Sequence, residues 1–325
     1  MSQDKSLSQS IELDEEEINE ILQELDEEEN KKPPKSIQLK EEKTESKPKK
    51  ESKPTNENEN KKHQKKEKEE IKENNKIEEE EMNNSDEESV DLDNYCFNYE
   101  FYKNDGELIP YKNKHYSAKS FHELLMSMDR SQRFQLMERK HNYIQWLFPN
   151  CIQSDFNRES IPVLPQEIEL FRNDIHVGVQ YIKNYMMFVE FLGGKVTDLI
   201  SEHIEAIEDE ELRNERFENF ENHPHNYLRI SRILNSLHVF GFKEYMTSLF
   251  TFLDTYKKEF PSCEYSLEKY WKECLLCDCK LNHEPNDIEY KDNVLLDAVK
   301  KLIPNNDEKY DVNEILMKIE QELKK

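Results

Sequence analysis

The sequence predicts an all-α protein, namely a compact multi-helix domain preceded by a long disordered tail rich in acidic residues and lysine. Apolar residues recur every three or four positions from Ala118 onward, which is the period of an amphipathic helix. Glycine contributes only 5 of the 325 residues, so glycine-turned sheets and nucleotide-binding loops are disfavoured. The first 94 residues contain no glycine, tryptophan or phenylalanine, which leaves nearly all core-forming aromatic residues to one folded unit.

The N-terminal tail, residues 1–93, has the composition of a disordered segment. Such a low-complexity stretch buries too little apolar area to offset the entropy of ordering it. Lysines at 47–50 and 61–68 form either importin-binding patches or a chance feature of a Lys/Glu-rich tail. Apolar residues near the N-terminus have helical spacing, which indicates a short helix. This helix either docks into a partner's groove or forms transiently in solvent. The residues are Ile11, Ile18, Ile21, Leu22 and Leu25.

Charge and apolar run length exclude several classes of function. The formal net charge is −25, and residues 1–94 contribute 17 lysines against 31 acidic residues. Because the remaining body is acidic too, we expect no nucleic-acid binding. No apolar run approaches the ~18 residues of a membrane-spanning helix, which predicts no transmembrane segment and leaves peripheral membrane association open. The N-terminus lacks the apolar core of a signal peptide, so we expect an intracellular protein with reduced cysteines. We expect no cofactor, since the sequence has no glycine-rich nucleotide-binding motif.

The predicted organisation is the tail at 1–93, a helical domain at 94–283 and a helical C-terminal extension at 284–325. Residues 95–103 are predicted as a short strand or an extended aromatic arm. Pro165 suits the first turn of a helix and Gly193-Gly194 its end, so these residues bracket the longest predicted helix. The apolar period predicts helices at about 118–128, 132–147, 166–192, 197–216, 225–239, 242–259, 265–278, 287–302 and 311–323.

Cysteines cluster near the end of the predicted domain and raise the question of a zinc site. Cys274, Cys277 and Cys279 precede His283, and Cys263 lies upstream, which supplies soft ligands in one neighbourhood. The flanking residues, however, have a helical spacing that favours buried thiols on one apolar side. We therefore predict that this segment folds without zinc, with metal binding as the open alternative.

Signatures of catalysis do not occur in the sequence. Glu138 and His141 form one Glu-x-x-His pair, but a carboxylate-bridged di-iron site needs a second pair. There is no nucleophile elbow, and the acidic residues of 202–218 are predicted to point around a helix as a solvated face. The chain is therefore predicted not to be an enzyme. The alternative is a helical enzyme or metal-binding protein whose site is assembled from residues distant in sequence.

The predicted helix at 225–239 carries the best candidates for partner recognition. Arg229 and Arg232 share one face, with His225 one turn earlier. The two arginines either hold a partner carboxylate or pair with acidic residues of the same chain, such as those at 205–215. Trp146 is predicted as a core residue, with a ligand-lining role as the alternative. The buried stripe of the helix is predicted to consist of Tyr227, Ile230, Leu234 and Leu237.

Three motifs occur in the order of a known family. Residues 98–105 read NYEFYKND, and Glu138 and His141 precede YIQWLFP at 143–149. Residues 225–241 follow the pattern H-N-x-L-R-I-x-R-I-L-x-S-L-x-x-x-G. Together they resemble the conserved domain of the opioid growth factor receptor family. The chain departs from the family pattern after Pro110, where a glycine is usual, and in the first helix, where the family has a tryptophan.

The resemblance implies an all-helical domain without known catalysis and, in animal members, methionine-enkephalin binding, nuclear or nuclear-envelope residence and restraint of proliferation. We therefore expect a non-enzymatic intracellular module that binds a peptide or protein segment, in or near the nucleus rather than in the cytoplasm. The candidate ligand- or partner-binding residues are His225, Arg229, Arg232 and Trp146. Importins are expected as partners of the Lys-rich tail.

Overall fold

The computed structural model describes residues 95–103, 106–276, 291–303 and 310–324. Those from Cys96 onward belong to one compact unit. They are mainly helical with two small antiparallel hairpins, which confirms the predicted all-α class. The predicted tail, including its amphipathic segment and Lys-rich patches, lies outside the described residues, and the domain boundaries stay predictions. Within the described residues, no helix is long and apolar enough to cross a membrane.

The first half of the described chain contains α1 (Phe97–Lys103), β1 (Ile109–Tyr111), β2 (Lys114–Tyr116), α2 (Ala118–Ser127), α3 (Arg130–Arg139), α4 (Ile144–Leu147), α5 (Pro165–Asn173) and α6 (Ile175–Phe191). The second half begins with β3 (Gly194–Val196), β4 (Ile204–Ala206), α7 (Glu210–Asn222), α8 (His225–Val239) and α9 (Lys243–Tyr256). After a 3-10 turn at Pro261–Cys263 come α10 (Glu264–Ser266), a π-helical turn (Leu267–Trp271), α11 (Lys272–Leu276), α12 (Val294–Leu302) and α13 (Val312–Leu323).

Helix α6 is the centre of the core because apolar residues surround most of its circumference. It contacts α1, α2, α5, α12 and α13. Its Tyr181 stacks on Phe242 with 5.4 Å between ring centroids, and the Tyr181 hydroxyl bonds to the Ser236 hydroxyl at 2.8 Å. The core around α6 is therefore built of aromatic rings, and the hydroxyl group of Tyr181 finds its partner inside it.

Residues 97–103 form helix α1, whereas the sequence predicted a strand or an extended arm. The cause is the buried carboxylate of Glu167 in α5. It accepts hydrogen bonds from the backbone N–H groups of Asn98 at 2.7 Å and Tyr99 at 3.2 Å, which are first-turn donors of α1. It also accepts one from the N–H of Leu164 at 2.8 Å, just before α5. One side chain thus supports the start of two helices that are far apart in sequence.

Two predicted helices are interrupted and one is partly wrong. The segment predicted as 132–147 ends at Arg139 and resumes as α4. The segment predicted as 166–192 breaks at Asp174, which caps α6 by accepting hydrogen bonds from the next turn. The segment predicted as 197–216 contains strand β4 before α7 begins. Pro165 begins α5, and Gly193, with a φ of +88°, follows the end of α6. Both predicted ends are confirmed, but two helices and not one lie between them.

The segment that leads into α12 covers the end of α8. Gly241 has a φ of +82°, and a Cβ atom there would lie 2.4 Å from the carbonyl oxygen of Lys291. Beside it, the side-chain amide of Asn293 donates to the carbonyl oxygens of Phe171 at 3.0 Å and Phe240 at 3.2 Å. The last glycine of the third motif is thus needed both for its backbone conformation and for the close approach of this segment.

Candidate functional site

The second and third motifs meet in a polar cluster between α3 and α8. Glu138 Oε1 lies 2.5 Å from His225 Nε2. The other carboxylate oxygen of Glu138 accepts hydrogen bonds from the side-chain amides of Asn219 at 2.8 Å and Asn226 at 3.2 Å. Helix α3 therefore joins to α7 and α8 through one carboxylate, and the fold brings together motif residues that lie far apart in sequence.

These contacts keep Glu138 ionised. Burial by itself raises the pKa of the carboxyl group, but hydrogen bonds from His225 and Asn219 outweigh burial, and the pKa falls to about 2. The centroids of the His141 and His223 rings lie 4.8 Å and 5.7 Å from that of His225. Even so, the described part of the chain holds no group of three or more potential ligands arranged to bind a metal ion. The cluster therefore joins helices α3, α7 and α8 through the ionised Glu138, and we call it the signature junction.

Arg229 points into this junction and not toward solvent. The residue is only 4% exposed. Its guanidinium group donates to the carbonyl oxygens of Met137 at 3.0 Å, Glu138 at 3.2 Å and Lys140 at 3.2 Å. These are carbonyl groups at the C-terminal end of α3, which a cation stabilises. These hydrogen bonds alone account for the position of the Arg229 side chain, without the partner contact or the intramolecular ion pair that the sequence suggested.

Arg232 of α8 contacts the end of α4, the helix that contains Trp146. Arg232 Nε donates to the carbonyl oxygen of Phe148 at 2.8 Å, and its Nη2 donates to that of Gln145 at 3.4 Å. Trp146 is 3% exposed and lies against Phe101, so its predicted burial is confirmed. A binding role for His225, Arg229, Arg232 or Trp146 stays a prediction, since the described contacts of the two arginines all lie within the fold.

The cysteine segment is described only in part. Cys263 and Cys274 are buried, as expected of apolar thiols. Burial, assisted by the nearby Glu221 and Glu264 carboxylates, raises the pKa of the Cys263 thiol to about 12. The remaining candidate ligands, at 277, 279 and 283, lie outside the described residues, so the prediction about zinc stays a prediction.

A cleft between strand β4 and helix α9 is a candidate binding site that the sequence did not indicate. Its volume is about 420 Å³, within the range of ligand-binding clefts. Arg213 of α7 lies in its wall, where Nη1 donates to the carbonyl oxygen of Ile207 at 3.2 Å. Among the described residues this arginine has no ion pair. The cleft lining consists of His203, Ile204, Glu205, Ala206, Arg213, Ser248, Thr251, Phe252, Thr255 and Tyr256.

The sequence missed this cleft because it predicted 197–216 as one helix with a solvated acidic face. In the structure the first acidic residue of that run, Glu202, is 1% exposed and has a φ of +58°. The turn at Glu202 returns the chain antiparallel to β3, with Val196 opposite Ile204. A sequence signal did exist: Gly193-Gly194 ends α6, and the following Lys195-Val196-Thr197 carries β-branched residues.

Comparison with known proteins agrees with the three motifs. Residues 91–283 match the sequence family described as the opioid growth factor receptor (OGFr) conserved region. The chain belongs to this family. The matched region holds the Glu138–His225 junction and the whole β4–α9 cleft, whereas α12 and α13 follow it. No solved structure matches this member of the family.

Curated relatives carry the same family name. The opioid growth factor receptor of Mus musculus is 33% identical over 119 residues, which cover 37% of this chain and 18% of the relative. The opioid growth factor receptor-like protein 1 of Rattus norvegicus is 32% identical over 120 residues, covering 37% and 25%. The human opioid growth factor receptor is 25% identical over 183 residues, covering 55% and 25%. The chain therefore aligns with at most about a quarter of each of these relatives.

Proposed function

We propose that the chain is a non-enzymatic intracellular module that binds a peptide or protein segment. The observation that carries the proposal is the β4–α9 cleft, a concavity with both polar and apolar residues within the family region, whose Arg213 has no ion pair among the described residues. In a chain with 71 acidic residues, an arginine available for a carboxylate is a recognition group. The relatives' name, receptor, supports the same class of function.

The contacts at the signature junction also favour binding over catalysis. The Glu138 carboxylate and the Arg229 guanidinium each have several hydrogen-bond partners within the fold. A general acid or base needs a pKa near the working pH, whereas the pKa of Glu138 is lowered to about 2. Turnover by the purified chain, or stoichiometric metal on it, would support the alternative of a helical enzyme or metal-binding protein.

The direct test is a binding titration with peptides. Fluorescently labelled methionine-enkephalin and a scrambled peptide of the same composition are titrated with the purified full chain, and anisotropy is recorded. The proposal includes enkephalin as one ligand, on the strength of the family resemblance alone. Affinity capture from the native cell, with the full chain as bait and Arg213→Gln as the matched control, identifies a protein partner. If Arg213→Gln binds every peptide and protein partner as tightly as the wild type does, the role proposed for the cleft is wrong.

We further propose nuclear or perinuclear residence, with importins as partners of the Lys-rich tail. The lysines at 47–50 and 61–68 carry this proposal. Replacing both groups with glutamine in a fluorescent fusion should move the protein toward the cytoplasm. An unchanged distribution would show that these lysines do not direct the protein to the nucleus.

A further inference from the structure

Among the described residues, strand β4 has no strand partner on the edge that faces away from β3. The second hairpin contains only β3 and β4. Hydrogen bonds from Ile207 N to Gly193 O and from Thr197 N to His203 O mark the paired positions of the ladder. Since these positions alternate in an antiparallel pair, the N–H and C=O groups of Ile204 and Ala206 point away from β3. Both residues also line the cleft.

The opposite wall of the cleft offers hydrogen-bond acceptors. Thr251 Oγ1 donates to the carbonyl oxygen of Thr247 at 2.9 Å, and Thr255 Oγ1 donates to that of Thr251 at 2.7 Å. Both threonines are exposed on α9. Because each hydroxyl proton is already engaged within the helix, the hydroxyl oxygens can take part in further hydrogen bonds only as acceptors. A ligand that bonds to both walls would therefore donate to α9 and would both donate to and accept from β4.

The positive charge of Arg213 indicates which charged group a ligand of the cleft should carry. Arg213 uses one N–H for Ile207 O, and its other donors have no partner among the described residues. The nearby Glu205 lies 3.9 Å from His203 Nε2. A guanidinium group with spare donors, in a wall that also contains a strand edge, fits a carboxylate carried by a peptide.

From these three features we infer that the cleft binds an extended, carboxylate-bearing peptide segment as an added strand on β4, with its carboxylate on Arg213. This inference rests on the proposed function and specifies its ligand and its mode. An extended backbone alternates N–H and C=O groups, as the β4 edge requires, and strand addition is a general mode of peptide recognition. A helical ligand would satisfy its own backbone groups and leave those of Ile204 and Ala206 unused.

Two substitutions separate this mode from other kinds of binding. Ala206→Pro removes an outward N–H from β4 and leaves the hydrogen bonds to β3 in place, since proline is tolerated where the N–H points away from the sheet. Ala206→Val is its control, because it keeps that N–H. Arg213→Gln removes the cation, and Arg213→Lys keeps it. The probe is a labelled pentapeptide of alternating threonine and valine that ends in glutamate with a free C-terminus. Its amidated counterpart, ending in glutamine, carries no carboxylate.

The expected results follow from the contacts. The acidic probe should bind the full chain at least ~10-fold more tightly than the amidated probe, and Arg213→Gln should abolish that difference, since a hydrogen bond to a charged group contributes ~1.5–3 kcal/mol. Ala206→Pro should weaken both probes by at least ~3-fold, whereas Ala206→Val should not. In ¹H–¹⁵N spectra, the probe should shift the amide signals of Ile204 and Ala206.

Three results would contradict strand addition on β4. Circular dichroism and thermal unfolding must first show that each variant is folded. Failure of the acidic probe to bind the wild-type chain at ~1 mM contradicts strand addition at this cleft. If enkephalin or a captured protein binds the wild type and Ala206→Pro equally, the proposed function survives and this mode is wrong. If Ala206→Pro binds the two probes as tightly as Ala206→Val does, or if Arg213→Gln still prefers the acidic probe, the strand-addition mode is likewise wrong.

Discussion

Glu202→Gln should stabilise the domain at neutral pH and leave it nearly unchanged at acidic pH. Glu202 is 1% exposed, and its Oε2 has no hydrogen-bond partner among the described residues. Burial raises the pKa of the carboxyl group from 4.5 to about 9, and the negative charges of Glu244 and Asp292 add to the effect. The folded protein therefore favours the neutral acid, while the unfolded chain ionises at its ordinary pKa.

The sign and size of the effect follow from proton linkage. A pKa raised by folding contributes stability that is fully present below the unfolded-state value of 4.5 and is lost as pH rises toward about 9. Each pH unit in this window lowers the free energy of unfolding by ~1.4 kcal/mol. About 3 kcal/mol is therefore lost between pH 4.5 and 7. Glutamine has nearly the same shape and stays neutral, so Glu202→Gln should gain up to ~3 kcal/mol at pH 7.

Urea unfolding of the full chain at about pH 4.5, 6, 7 and 8 measures this difference. The matched control is Glu205→Gln, whose side chain is 59% exposed in the wild type. The stability gained by Glu202→Gln should grow with pH, while the control should stay within ~0.5 kcal/mol of the wild type at every pH. A difference that does not change with pH would refute the account of Glu202 as a buried acid that resists ionisation.

Three further predictions test the fold. Trp146→Ala should destabilise the domain by ~3–5 kcal/mol in denaturant titration. The control Phe156→Ala, at an 80% exposed residue, should change stability by less than ~0.5 kcal/mol. Equal effects would contradict the burial of the tryptophan. Gly241→Ala should lower thermal stability by more than ~1 kcal/mol because of its φ and its contact with residue 291, and an unchanged melting temperature would contradict that contact. Glu138→Gln should destabilise at pH 7, and the loss should shrink as pH falls from 4.5 toward 2; a loss independent of pH would show that the charge of Glu138 is not what matters.

Helix periodicity predicted the interior of this fold well, because burial repeats locally along a helix. The predicted helix at 225–239 coincides with α8, and its buried residues include the predicted stripe. Periodicity failed where one distant side chain decides the local structure. Residues 97–103 are helical because Glu167 supplies acceptors for their N–H groups, and no pattern within the segment records that partner.

The candidate site was predicted less well than the fold. The sequence identified Arg229 and Arg232 correctly as lying off the apolar stripe, but a position off the stripe does not reveal whether a guanidinium group meets solvent or the carbonyl groups of a neighbouring helix. The cleft depends on the turn at Glu202, whose left-handed backbone places β4 beside α9. Glutamate is not a residue that predicts such a turn.

We propose that ligands bind in the β4–α9 cleft, whereas the signature arginine Arg229 stabilises the fold. The measurement is a comparison of Arg213→Gln with Arg229→Gln, with unfolding free energy and affinity per folded molecule for the acidic pentapeptide recorded on the same samples. Arg213→Gln should lose affinity at least ~10-fold with stability nearly unchanged. Arg229→Gln should lose ~2–4 kcal/mol of stability, because it leaves buried carbonyl groups unpaired, and should keep its affinity. The reverse result, with affinity lost in Arg229→Gln and kept in Arg213→Gln, would show that the ligand binds at the signature junction and not in the cleft.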